Sequence, residues 1–114
     1  MITELRTYWI KRGHMAAWLD CWAEAAEHNE ALGIRIEFAG FERESMGTYV
    51  WARSFENEAE RERLSNELYG SDWWKRVGDD VMSHVITYEV RILTTAFQRA
   101  DGGGLIDRRG AMDD

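Results

Sequence analysis

The stretch ITELRTYWI, residues 2–10, decides the fold class because its apolar and polar residues alternate as in a β-strand. Side chains two residues apart along a strand point to the same face of the sheet. Glu4, Arg6 and Tyr8 therefore share one face of this strand. A short chain needs its buried positions for an apolar core. A charged strand face thus indicates either a polar network or a ligand site.

The composition is that of a single globular domain. The 114 residues are 45% apolar and carry a net charge of −7, which argues against a nucleic-acid partner. No apolar run approaches the roughly 20 residues of a membrane span, and the chain opens on a charged strand instead of a signal sequence. The lone Cys21 fits a reducing compartment, and its place in a helical pattern favours a structural thiol over a nucleophile. We therefore expect a cytoplasmic protein without a membrane partner.

The periodicities along the chain predict the order strand, helix, strand, strand, broken helix, strand. Apolar residues three and four apart predict a helix over about residues 14–32, whereas IRIEFAGFERES and TYVWARSF predict a hairpin of two strands. Asn57 and Ser71 are placed to cap two successive helices, and TYEVRILTTAF is the last strand. This βαββαβ order predicts a ferredoxin-like α+β fold with a four-stranded antiparallel sheet over residues 1–99.

Two features lie outside this sheet-and-helix plan. Residues 100–114 contain three consecutive glycines and mixed charges, so we expect a disordered C-terminal tail. A ferredoxin-like sheet carries helices on one face only, and its other face needs a cover. A second copy of the chain would supply that cover, which predicts a homodimer.

Several blocks resemble the NIPSNAP family in order and spacing. They are ELRTYWIKRGH, YVWARSFENEAERERL, YGSDWWKRV and YEVRIL, within residues 2–97. The chain departs from the family pattern by lacking a proline in the turn Lys11-Arg12-Gly13 and in Thr94-Thr95-Ala96. The resemblance implies a dimeric α+β barrel in a superfamily that includes cofactor-independent antibiotic-biosynthesis monooxygenases, lactone isomerases and haem-handling enzymes. A shared fold does not transfer a reaction.

The last strand extends the charged face in this interpretation. Glu89 and Arg91 share a face of that strand, which neighbours the first strand in a ferredoxin-like sheet. In this arrangement the ion pairs Glu4–Arg91 and Arg6–Glu89 are geometrically possible.

The third strand places Arg53 between Trp51 and Phe55 on one face. A guanidinium between aromatic rings can recognise a planar anion, and it can equally be a salt-bridged structural residue. We expect Trp51 to pack against a planar ligand. Trp9, Trp18, Trp22 and Trp74 are expected in the core.

The three histidines are not expected to form a metal site. His14 and His28 would lie about 21 Å apart on one helix at 1.5 Å per residue, and His84 belongs to another element. His84 is either a histidine at the core edge or a general acid or base beside a pocket. No metal and no cofactor is expected, and no nucleotide-binding fingerprint is present in the sequence.

Two hypotheses for function follow from these residues. In the first, the chain is a cofactor-independent monooxygenase, isomerase or cyclase acting on an aromatic or polyketide-like metabolite. Arg6 or Arg53 would stabilise an oxyanion and Tyr8 or His84 would move a proton, with Glu4, Trp51, Phe55, Glu89 and Arg91 around the substrate. In the second, it is a non-enzymatic binding module whose charged face is dimer architecture. An aromatic cavity with an open arginine between sheet and helices would favour the first hypothesis.

Overall fold

The computed structural model describes residues 1–111. The four main strands are β1 (Ile2–Ile10), β2 (Arg35–Phe41), β3 (Thr48–Phe55) and β4 (Val85–Thr94). The three helices are α1 (Met15–Ala31), α2 (Glu58–Tyr69) and α3 (Asp72–Met82). The predicted order of strands and helices is confirmed, including the break between α2 and α3.

The four strands form one antiparallel sheet in the order β2-β3-β1-β4. The central strand β1 pairs with β3 so that Glu4 lies opposite Arg53, and it pairs with β4 so that Glu4 lies opposite Ile92. This is the ferredoxin-like topology that the sequence predicts, and β4 lies at one edge of the sheet.

The helix boundaries follow the predicted signals. The side chain of Asn57 accepts a hydrogen bond from the backbone N–H of Glu60 at the start of α2, and Ser71 does the same for Trp74 at the start of α3. Beyond the C-terminal end of α1, Gly33 adopts a positive φ of 88°, which residues with a side chain rarely adopt. These local signals separate the three helices.

The C-terminal segment differs from the expected disordered tail. Phe97–Arg99 (β5) and Leu105–Asp107 (β6) form an antiparallel hairpin, followed by a 3₁₀ turn at Arg109–Ala111. Gly103 and Gly104 both have positive φ and form the turn of this hairpin, whereas the composition of the segment predicts disorder. The hairpin is tied to β2 by the ion pair of Arg35 with Asp101 (2.9 Å). Residues 112–114 of the predicted tail lie outside the described residues.

The core lies between the sheet and the three helices, in two apolar clusters. One cluster surrounds Trp18 and Tyr49, and the other surrounds Ile34 and Trp73. Trp18 is buried and Trp22 and Trp74 pack against these clusters, as expected. No helix within residues 1–111 is both long enough and apolar enough to cross a membrane.

Candidate functional site

The charged face of β1 points toward the helices. Glu4, Arg6, Tyr8 and Ile10 are all buried, whereas Leu5, which points to the open face, is only partly buried. The helices therefore cover the polar side of the strand. The arrangement requires a charged network inside the domain, where each ion needs a partner.

Glu4 is the centre of this network and is 1% exposed. One carboxylate oxygen accepts from Nη1 of Arg6 at 2.6 Å and from Nε of Arg53 at 2.8 Å. The other oxygen accepts from Nη1 of Arg61 at 3.1 Å. Burial by itself would raise the pKa of Glu4, but the guanidiniums of Arg53 and Arg6 outweigh it and hold the pKa below its ordinary value.

The network carries more positive than negative charge. Arg61 is also paired with Glu58 at 2.6 Å, so Glu4 is left to balance both Arg6 and Arg53. Two guanidiniums against one carboxylate leave one positive charge uncompensated. An anion that reaches this network would be stabilised by it.

Each nitrogen of the Arg53 guanidinium has a protein partner. It is 1% exposed and donates from Nε to Glu4, from Nη1 to Asn29 at 2.9 Å and from Nη2 to the hydroxyl of Tyr69 at 3.1 Å. Its guanidinium carbon lies 5.4 Å from the ring centre of Trp51 and 5.5 Å from that of Phe55, so the predicted position between these two rings is confirmed. Arg53 has the environment of a structural arginine.

Arg6 is only partly satisfied. It donates from Nη1 to Glu4 and from Nε to the hydroxyl of Tyr8 at 3.1 Å. Within residues 1–111, its Nη2 has no hydrogen-bond partner. Arg6 lines an open pocket of about 270 Å³ under β4, which we call the β4 cleft. The other residues lining the cleft are Tyr8, Tyr69, Trp74, Met82 and Tyr88.

The two tyrosines of the cleft that lie on strands are stacked on each other. The rings of Tyr8 and Tyr88 are 5.2 Å apart with an angle of 15° between their planes. Tyr88 is half exposed and Tyr8 is buried. Burial raises the pKa of Tyr8 despite the nearby Arg6, so its phenol is neutral at neutral pH. Its oxygen accepts from Arg6. Within residues 1–111 its O–H has no acceptor, so it can donate to a ligand.

A narrow inner cavity of about 40 Å³ adjoins the cleft, with which it shares Tyr8, Tyr69, Trp74 and Met82. The inner cavity is otherwise lined mainly by aromatic side chains, including Trp18, Trp22, Trp51 and Trp73. The indole N–H groups of Trp18 and Trp51 are buried and have no hydrogen-bond partner among the described residues. Two unsatisfied donors beside a cavity are places where a water or a ligand oxygen would bind.

The ion pairs between β1 and β4 that the sequence made possible, Glu4–Arg91 and Arg6–Glu89, do not form in the part of the chain that the structure describes. In the observed register Leu5 lies opposite Arg91 and Thr7 opposite Glu89, so both charged residues of β4 point to the open face of the sheet. There Glu89 and Arg91 pair with each other at 2.6 Å and are exposed. A register that differs by one residue from the expected one transfers a side chain to the other face. The structure does not bring these residues to the β4 cleft.

The expectation that the histidines do not converge is wrong for one pair. Nδ1 of His14, just before α1, lies 3.0 Å from Nδ1 of His84, just after α3. His28 is elsewhere and stacks on Trp73 with a distance of 4.0 Å between ring centres. His84 does not line the β4 cleft, so the structure does not bring it to Arg6 and Tyr8.

Three members of the network were not predicted from the sequence. Asn29 is 2% exposed on α1 and accepts from Arg53, Tyr69 ends α2, and Arg61 reaches Glu4 from α2. Asn29 was detectable as a polar residue near the apolar stripe of its helix. The partners of Arg61 and Tyr69 depend on how α2 packs on the sheet, and a local sequence pattern does not predict this packing.

No protein-family model and no curated protein matches the sequence. Solved structures match the fold. A NIPSNAP domain protein from Burkholderia xenovorans has a TM-score of 0.74 at 16% identity, covering 84% of this chain and 95% of that protein. The chain has the fold of NIPSNAP family proteins. A second one, from Agrobacterium tumefaciens, has a TM-score of 0.73 at 19% identity, covering 88% of this chain and 86% of that one.

The same fold occurs in an oxygenase. SnoaB from Streptomyces nogalater, a cofactor-independent oxygenase, has a TM-score of 0.68 at 15% identity, covering 82% of this chain and 91% of SnoaB. At these identities the likeness concerns the fold. The NIPSNAP resemblance of the sequence is thus confirmed as a likeness of fold.

Proposed function

We propose that the chain is a cofactor-independent enzyme that binds a planar, anionic or enolisable aromatic metabolite in the β4 cleft. The observation that carries the proposal is the unsaturated guanidinium of Arg6, which lines an aromatic pocket of about 270 Å³. This volume lies just below the range of about 300–1,000 Å³ that is usual for small-molecule sites, so the cleft suits a small ligand. The aromatic walls match a planar ligand, and the excess positive charge matches an oxyanion.

The chemistry of the cleft suits the stabilisation of an enolate or phenolate. Arg6 is held in place by Glu4 and Tyr8, so its remaining N–H groups are oriented before a ligand binds. The neutral phenol of Tyr8 can donate a hydrogen bond or a proton to the same oxygen. These groups would stabilise the enolate oxygen that forms when a proton is lost next to a carbonyl, the first step of an isomerase, a cyclase or a cofactor-independent oxygenase. Among the described residues, the side chains that line the cleft include no carboxylate and no imidazole, so a water molecule in the open cleft would accept that proton.

The binding part of the proposal is tested with a charge-matched pair of ligands. A naphthoate and the neutral naphthamide of the same shape are titrated while tryptophan fluorescence is recorded, because Trp74 lines the cleft. We expect the wild type to prefer the anion and Arg6→Gln to lose that preference. Arg76→Gln, on the exposed side of α3, is the control for loss of one positive charge. Equal affinity for both ligands in the wild type would contradict the proposal.

The catalytic part separates an enzyme from a binding module. Enolisable aromatic ketones are incubated with the protein in D₂O, and exchange at the carbon next to the carbonyl is followed by NMR. We expect exchange that is reduced in Arg6→Gln and Tyr8→Phe and unchanged in Arg76→Gln. Ligand binding without exchange or turnover for any compound would favour the non-enzymatic module.

We also propose that the chain is a homodimer built on the open face of the sheet. Leu5, Trp9 and Val50 on this face are only partly buried, and Leu93 on β4 is 44% exposed. Sedimentation measures the state of assembly. Leu93→Arg would dissociate the dimer, whereas Thr94→Arg, which points to the opposite face, would leave it intact.

The proposal includes a cytoplasmic location, which rests on the single Cys21 in the sequence. Cell fractionation with an antibody against the chain tests this location directly. Recovery of the protein in an oxidising compartment would contradict it.

A further inference from the structure

A group of metal-ligating side chains lies outside the β4 cleft, where α1 meets the end of α3. Cys21 on α1, Asp80 on α3 and His84 just after α3 each place one ligand atom within 4.8 Å of the other two. Nδ1 of His14 lies 3.0 Å from Nδ1 of His84. Thiolate, carboxylate and imidazole are the three ligand types found in zinc sites.

We propose that Cys21, Asp80 and His84 bind a divalent transition-metal ion of the zinc type, with His14 positioning the ring of His84. Three protein ligands leave a fourth tetrahedral position for water or another donor. Asp80 is exposed and Cys21 and His84 are partly buried, so the site is reachable from solvent and its side chains can adjust around an ion.

The contact with His14 strengthens the proposal. A histidine that binds a metal is commonly held by a second polar partner, which fixes the orientation of its ring. The Nδ1 atoms of His14 and His84 already face each other at hydrogen-bond distance. The ring of His84 is therefore already held in place before an ion binds. Less conformational entropy of the side chain is lost on binding as a result.

The charges around the thiol also favour a cation. The carboxylate of Asp80 belongs to the group, and the carboxylates of Glu24 and Asp20 act on Cys21 as well. A divalent cation would be attracted by the carboxylates and would displace the thiol proton on binding.

An ion at this position would tie α1 to α3. Met82, which lines the β4 cleft, lies between Asp80 and His84 in sequence, and Cys21 packs against the apolar cluster around Trp18. An ion that binds the folded chain in preference to the unfolded chain would raise the melting temperature. The site thus has a readout that does not depend on the chemistry of the cleft.

Cobalt titration of the full chain tests the site. The chain is treated with a chelator and reducing agent, and Co²⁺ is added while absorption is recorded. We expect one ion per chain and a thiolate-to-cobalt charge-transfer band, followed by displacement of cobalt by Zn²⁺. Cys21→Ala should remove the band, Asp80→Asn and His84→Gln should weaken binding at least about tenfold, and His14→Gln should weaken it by about the same factor or less.

Two matched controls give the test its discrimination. Asp79→Asn removes the exposed carboxylate next to Asp80, and His28→Gln removes a histidine of α1 outside the group. Both should bind Co²⁺ as the wild type does, and circular dichroism should show that every variant is folded. The proposal is overturned if no charge-transfer band forms, if binding survives in Cys21→Ala, Asp80→Asn and His84→Gln, or if Asp79→Asn weakens binding as much as Asp80→Asn.

Discussion

Replacing Glu4 by glutamine tests whether the buried charge network holds the fold together. The change keeps the shape of the side chain and one oxygen acceptor but removes the carboxylate that Arg6 and Arg53 share. Arg53 is 1% exposed, and Arg6 is 8% exposed and reached only from the β4 cleft, so water can replace little of the lost charge. Two positive charges would remain close together inside the domain.

The expected cost follows from this geometry. Removing one partner from a buried ion pair typically lowers the free energy of unfolding by about 3–5 kcal/mol, because the remaining charge is uncompensated. Domains commonly have a total stability of about 5–15 kcal/mol. We therefore expect Glu4→Gln to fold weakly or only partly, with a urea midpoint far below that of the wild type.

The pH dependence gives an independent check on the same variant. The folded-state pKa of Glu4 lies below its ordinary value, so its contribution to stability is complete above the unfolded pKa and is lost as the pH falls through the folded pKa. The difference in unfolding free energy between wild type and Glu4→Gln should be largest near neutral pH. It should shrink as the solution becomes more acidic than the unfolded pKa of about 4.3.

Glu58→Gln is the matched control. Glu58 is exposed on α2 and shares Arg61 with Glu4, so this change removes a surface ion pair from the edge of the same network. Exposed ion pairs contribute little to stability. The reasoning is refuted if Glu4→Gln costs no more than Glu58→Gln, or if its cost is independent of pH.

Three further outcomes are expected. Arg53→Lys should lower the unfolding free energy by about 1–3 kcal/mol, measured by urea titration, because the bonds to Asn29 and Tyr69 are lost. Its effect on naphthoate affinity, measured by fluorescence, should be smaller than that of Arg6→Gln. Gly78→Ala should lower the melting temperature, although alanine is the better helix former, because its Cβ would lie 2.9 Å from the ring of Trp74. Deleting residues 97–114 should also lower the melting temperature because Gln98 bonds Glu37.

The fold was predictable because its signals are local. The alternation in residues 2–10, the caps at Asn57 and Ser71 and the glycine after α1 each act over a few residues, and together they define the element order. The hairpin of residues 97–107 was missed because its turn depends on two glycines in a run that has the composition of a disordered segment.

The candidate site was predictable only within single strands. Alternation placed Glu4, Arg6 and Tyr8 together on one face of β1. The side chains of β4 that lie beside them depend on the register of the two strands, and a shift of one residue moves every side chain of β4 to the other face of the sheet. The contact of His14 with His84 joins residues 70 positions apart. Such a contact arises from the packing of α1 against α3, and a search for ligands within one element cannot find it.

The sequence left two interpretations of the buried arginines open, and the contacts of Arg6 and Arg53 divide the two roles between them. Arg53 directs each nitrogen of its guanidinium at a protein oxygen and has almost no exposure, so a ligand would have to break existing bonds to reach it. Arg6 is bound on one side by Glu4 and Tyr8 and lines the cleft with its other side. Glu4 joins the two guanidiniums, so the structural arginine fixes the carboxylate that positions the ligand-facing one. Loss of Arg53 should therefore act on the cleft through Glu4, whereas loss of Arg6 should act on the ligand directly.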